Sequence, residues 1–141
     1  MKQDLYNFSL RMGDTSWVLS HRLCELCSFG PFLEEDLALT NIGLDHIGQA
    51  EEWLNYAASL SSEDTTADLL AYRRKEKEYR NVQLVEFPNE DFACIIARQF
   101  FLDAYNFLVY SKLSESKDET FAAIAKKSLK EIRYHLRHSS N

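Results

Sequence analysis

Four long stretches of this sequence carry an apolar stripe, and each holds one acidic side chain that its neighbours turn inward. Glu25 lies one turn from His21 and Arg22. Asp45 is flanked on its face by Ile42 and Gly48. Asp103 stands in line with Ile96, Gln99 and Asn106, and Glu131 sits near Leu129 and His135. One carboxylate per helix, converging on a bundle core, is the frame of a ferritin-like di-metal site. Such a site also needs nitrogen: two of the four helices supply Glu-x-x-His, whose i, i+3 spacing aims both ligands the same way.

The histidines fail that test. Three residues after Asp45 stands Gly48, and His46 lies about 100° round the helix. Three residues after Glu131 stands Tyr134. His135 is four on and shares a face with Glu131, so Glu131 and His135 can pair as ligands. Four carboxylates with one nitrogen make an unusual transition-metal site. The reading favoured is that these acids meet Arg22, Arg98, Arg133 or lysines in buried polar networks. Asp103 is the most telling, because it sits within Phe100–Tyr105 and an unpaired buried carboxylate is very costly. Arg98 and Gln99, one turn before it, are its expected partners. No residue is assigned as catalytic, cofactor-binding or a confident metal ligand; Glu25, Asp45, Asp103, Glu131 and His135 are degenerate candidates.

Other motifs carry less. Cys24 and Cys27 form C-x-x-C, but a zinc site needs a second pair and only Cys94 remains. Packing on a helix face is the expected role. His135 and His138 suit the negative end of a helix dipole. There is no Gly-rich phosphate loop and no Ser/His/Asp set.

The elements that must position these acids are helices. Gly is 4 and Pro is 2 in 141 residues, too few for the turns of an all-β fold. Leu5, Phe8, Met12, Leu19, Leu23 and Leu26 recur at helical spacing over about residues 4–29, as one helix or two with a break at Gly13-Asp14. Gly30-Pro31 ends that segment. A second runs over about 31–61, opening on Glu34, Glu35 and Asp36, with Leu33, Leu37, Leu44, Ile47, Leu54 and Leu60 as its stripe. Gly43 and Gly48 inside it suggest close helix packing. A loop, a short helix over about 66–79, and an extended crossover or short strand at 82–87 follow. The segment over about 91–113 is apolar almost all round, so it is buried or packs against another subunit. The last, about 118–138, has its stripe at Phe121, Ile124, Leu129, Ile132 and Leu136. The result is an all-α, ferritin-like four-helix bundle with one long crossover near residues 62–90, a single domain spanning 1–141.

Charge and composition narrow the function classes. The net charge of −6, with no strong basic patch, argues against nucleic acid. No stretch reaches the roughly 18 apolar residues of a membrane span, and the N-terminus has no signal-peptide pattern. Three cysteines imply no disulfide framework, so a cytoplasmic protein is expected.

Longer runs then carry a resemblance. They are Leu10–Asp14 (LRMGD), Val18–Leu23 (VLSHRL), Asp36–Ala50 (DLALTNIGLDHIGQA), Leu84–Asn89 (LVEFPN), Ile96–Phe100 (IARQF) and Lys130–His138 (KEIRYHLRH). In this order they resemble the structural C-subunit family of phenylacetyl-CoA 1,2-epoxidase, a bacterial multicomponent oxygenase, over about residues 5–139. The resemblance implies a ferritin-like fold and a heteromeric complex with a homologous catalytic subunit. That partner holds the di-iron centre and epoxidises the ring of phenylacetyl-CoA with O2 and electrons from a reductase. The chain itself is then a structural subunit that binds no cofactor, with a homo-oligomer also possible. The family continues past this point with further helices, so the sequence corresponds to the N-terminal part of the family chain. Two alternatives stand beside this: a di-iron subunit with its own metal site, and a helical interaction module unrelated to oxygenation.

Overall fold

The computed structural model describes residues 2–25, 33–61, 63–86 and 92–140. The expected stops at Gly30-Pro31 and Pro88-Asn89, and Cys27, lie outside them. Among the described residues all regular structure is helical: α1 Lys2–Cys24, α2 Leu33–Leu60, α3 Ala67–Tyr72, α4 Phe92–Leu113 and α5 Glu119–Ser139, with 3-10 turns at Glu76–Glu78 and Gln83–Glu86. Two long helices, a crossover and two more long helices form the ferritin-like order. Within the run at 82–87, read as an extended crossover in preference to a strand, Gln83–Glu86 forms a 3-10 turn, and no strand exists among the described residues. The chain divides into two compact units, residues 1–87 and 88–141.

In the first unit α1 and α2 pack antiparallel: Gly13 meets Trp53 and Leu54, and Gly43 meets Leu23 and Cys24. Helix α1 runs unbroken through Gly13, and the reason is this contact. A Cβ at Gly13 would lie 2.9 Å from Leu54 Cδ2 and 3.2 Å from Trp53 Cβ. The second of these atoms is fixed to backbone and cannot swing away. Gly13→Ala is therefore expected to destabilise by about 1–3 kcal/mol, overpacking outweighing the helix propensity gained. Gly48 is the opposite case. It is exposed, and a methyl group there would meet nothing within 4 Å, so close packing does not explain it. Gly48→Ala should stabilise by about 0.5–1 kcal/mol. Thermal unfolding of the two variants, opposite in sign, checks the pair.

The inward face of α2 is Leu39, Ile42, Gly43, His46, Gln49, Ala50, Trp53, Leu54 and Ala57. Leu33, Leu37 and Leu44, expected in the core, are instead exposed, at 70%, 56% and 56%. Their i, i+4, i+11 spacing forms a second apolar stripe on the solvent side. Helix α2 thus carries two stripes, one inward and one outward.

The crossover is fastened to α1 by polar contacts. Thr66 caps α3, its Oγ1 accepting from Leu69 N–H at 3.2 Å. The helix stops at Tyr72, short of the expected Tyr79, and Arg74 turns back to the buried carboxylate of Asp14. Arg74 Nη1 donates to Asp14 Oδ2 at 2.9 Å, and its other terminal nitrogen pairs with Oδ1. Asp14 Oδ2 also accepts from Arg80 N–H at 2.8 Å. Thr15 Oγ1 accepts from Val82 N–H at 3.2 Å, and Arg22 donates to Glu86 O at 3.0 Å. Leu70 and Ala71 of α3 then close a small core with Leu10, Leu54 and Ala57.

In the second unit α4 and α5 are packed neighbours joined by residues 114–118, which makes them antiparallel. Asp118 caps α5, accepting from Phe121 N–H at 2.9 Å. Phe121, Ile124 and Ile132 of the expected stripe are buried. Helix α4 buries Ile95, Leu102 and Tyr110 but exposes Phe101 at 62% and Leu108 at 67%, with Phe100 and Tyr105 also open.

Candidate functional site

The second unit holds a buried acid between two hydrogen-bond donors. Asp103 is fully buried on α4. Gln99, one turn earlier on the same helix, donates through Nε2 to Oδ1 at 2.8 Å. Ser139, in the last turn of α5, donates through Oγ to Oδ2 at 2.7 Å. These two, and not the expected Arg98, supply the side-chain hydrogen bonds that Asp103 accepts among the described residues. Both partners are neutral, so neither brings a counter-charge to the buried acid. Burial pushes the Asp103 carboxyl up to about 7; the Ser139 and Gln99 hydrogen bonds and the charge of His138 offset only part of this. Near neutrality the group is thus divided between acid and carboxylate.

His135, also fully buried, brings a ring nitrogen within 4.8 Å of the Asp103 carboxylate. Of the five sequence candidates, the second unit brings these two together. Glu131 lies one turn from His135 and is half-buried. Asp45 is half-buried on α2, off the inward face that carries His46. Glu25 is exposed just beyond α1, 3.5 Å from Arg22.

This set does not match the ligands of a ferritin-like di-metal centre. Gly48 and Tyr134, the positions that spacing alone marks for the histidines, are exposed; the inward i, i+3 pairs are His46 with Gln49 on α2 and Ile132 with His135 on α5, so neither helix presents Glu-x-x-His to its buried face. Glu25 points to solvent and is spent on Arg22. A buried acid with a neutral-range proton beside an imidazole can share or hold a proton, and no step through a di-iron group follows from the residues present.

Sequence reasoning misses two buried groups. His46 falls on the line of Ile42, Gln49 and Trp53, the i−4, i+3 and i+7 positions, and that spacing is its signal. Asp14 pairs with Arg74, sixty positions away, and no local spacing reports it.

The family of phenylacetic acid catabolic proteins matches residues 1–141, the whole sequence. The chain belongs to this family. One relative is the C-subunit of the 1,2-phenylacetyl-CoA epoxidase of Escherichia coli (strain K12), 52% identical over 132 residues. The alignment covers 94% of this chain and 53% of the relative, so the chain spans about half the length of that relative. The family expected from the six sequence runs is therefore confirmed, and its helical fold agrees with the helices described above. No helix among the described residues is long and apolar enough to cross a membrane.

Proposed function

We propose that the protein is a non-catalytic, structural subunit of a multicomponent oxygenase that epoxidises the aromatic ring of phenylacetyl-CoA in phenylacetate breakdown. The observation that carries this is the buried face of α2 and α5: its i, i+3 pairs are His46 with Gln49 and Ile132 with His135, and neither is the Glu-x-x-His of a di-metal centre. Likeness to the C-subunit of an epoxidase supports the same reading. The di-iron centre then belongs to a homologous catalytic partner, and electrons reach that partner from a reductase. The polar cluster of Asp103, Gln99 and Ser139 ties α4 to α5 instead of holding a metal.

The apolar faces suit an assembly role. Leu33, Leu37 and Leu44 on α2, and Phe101, Tyr105 and Leu108 on α4, are ordered stripes on regular helices rather than scattered residues. Isolated exposed leucines are ordinary; repeated stripes at helical spacing mark surfaces that other chains cover. Affinity purification of the protein, co-expressed with the catalytic and reductase subunits of a phenylacetyl-CoA epoxidase, tests the proposal. The catalytic subunit should elute with it in fixed ratio. Elution of the protein alone, with the catalytic subunit active without it, contradicts the proposal.

A further inference from the structure

A cavity of about 330 Å³ opens in the first unit, lined by Asn7, Phe8 and Arg11 of α1 and by Arg80 of the crossover. Its charge is unusual for a chain of net charge −6: two guanidinium groups and no carboxylate among the described lining residues. Neither Arg11 nor Arg80 gives its side chain to a hydrogen bond or ion pair among the described residues. Asp14, three positions after Arg11, is already engaged by Arg74.

The cavity is built rather than incidental. Arg80 is held at its rim because its backbone N–H donates to the buried Asp14 carboxylate at 2.8 Å. Phe8 is fixed by an edge-to-face contact with Trp53, centroids 6.2 Å apart. Asn7 Oδ1 accepts from Gln3 at 3.2 Å, which leaves the Asn7 amide NH2 to donate elsewhere. Donors on two different elements and an aromatic ring line one space.

We propose that this cavity binds a small phosphate ester. Guanidinium groups bind phosphoryl oxygens in bidentate pairs, and two of them match the double charge of a phosphate monoester. Asn7 Nδ2 supplies a further donor, and the ring of Phe8 receives the organic group. The volume is in the range of small-molecule sites and exceeds what a lone inorganic ion fills. The site lies within residues 1–87 and uses none of the residues on which the subunit assignment rests.

Titration of the full-length protein with phenyl phosphate, followed by calorimetry and by NMR of the arginine side chains at about 0.1 M salt, tests this. Saturable binding is expected, with shifts at Arg11 and Arg80. Arg11→Gln and Arg80→Gln should each weaken it roughly tenfold or more, and inorganic phosphate and benzoate should bind less tightly. Both arginines are exposed, so the variants should keep the parent unfolding midpoint. Shifts that never saturate, affinity unchanged in the double variant, or benzoate binding as tightly as phenyl phosphate would each overturn the proposal. Iron content and partner binding are unaffected by either result.

Discussion

Asp14→Ala is expected to lower the stability of the first unit by about 3–5 kcal/mol. The carboxylate is fully buried and the Arg74 side chain is only 13% exposed. Removing the acid strands a buried guanidinium and takes the acceptor from Arg80 N–H. Arg74 keeps part of its environment: Leu70 O at 2.6 Å, Glu78 O at 3.2 Å and the Tyr79 ring at 4.3 Å. That places the loss nearer the lower end of the range. The double replacement Asp14→Leu with Arg74→Met leaves no buried charge and should recover a large part of it. Both tryptophans, Trp17 and Trp53, lie in this unit, so urea unfolding followed by tryptophan fluorescence reads it directly. A single-variant loss under about 0.5 kcal/mol would mean the pair is worth no more than a surface contact.

The second large effect is a pH dependence centred on Asp103. Its carboxyl titrates near 7 in the folded chain and near 3.8 as an ordinary aspartate. Below about pH 4 both states are protonated, and the native state has its full stability. Between those values the native state holds a proton that the unfolded state has released. Raising the pH through this window therefore destabilises the fold, and above about pH 7 the loss is complete. A gap of this size corresponds to roughly 4 kcal/mol. Asp103→Asn removes the titration and keeps the shape. The asparagine oxygen still accepts from Gln99. Its amide can donate to Ser139 Oγ, whose hydroxyl can then turn to Leu136 O, already 3.4 Å away. The variant should lose the downward slope between about pH 4 and 7 and be more stable than the parent at about pH 8. Amide exchange across α4 and α5 measures both. An unchanged slope, or a variant weaker than the parent in mild alkali, would place the titration elsewhere.

Much of this fold is legible from local pattern. The low Gly and Pro count, the loop before α3 and the apolar register of α5 follow from short-range rules, and Asp118 capping α5 is one of them. The orientation of α2 is less legible for a physical reason. Much of its buried face is built from Gly43, Ala50, Ala57, His46 and Gln49, because α1 comes close at Gly13. Three of its leucines, the louder signal, line the opposite side. Hydrophobicity alone therefore selects the wrong face and brings Asp45 forward in place of His46.

The same distinction separates the two buried acids. Asp103 announces itself by standing among Phe100, Phe101, Leu102 and Tyr105, and the sequence places Gln99 one turn away. Its other partner, Ser139, is 36 positions on, and burial, which the Ser139 and Gln99 hydrogen bonds only partly offset, sets the proton affinity. Asp14 sits next to a glycine and reads as a weak point in a helix. Its meaning comes from Arg74 and Arg80, delivered by a crossover whose path no local pattern specifies. The lack of an inward Glu-x-x-His on α2 and α5 emerges only when spacing is joined to burial, and it carries the central functional argument.

Iron content is the most direct test of that argument. The full-length protein, purified alone after growth and reconstitution with ferrous iron, should hold far less than stoichiometric metal. The complex formed with the catalytic subunit should hold iron that remains with that subunit on separation. Stoichiometric iron bound to this chain alone, lost on Asp103→Asn or His135→Ala, would contradict a structural role and establish a metal site of its own.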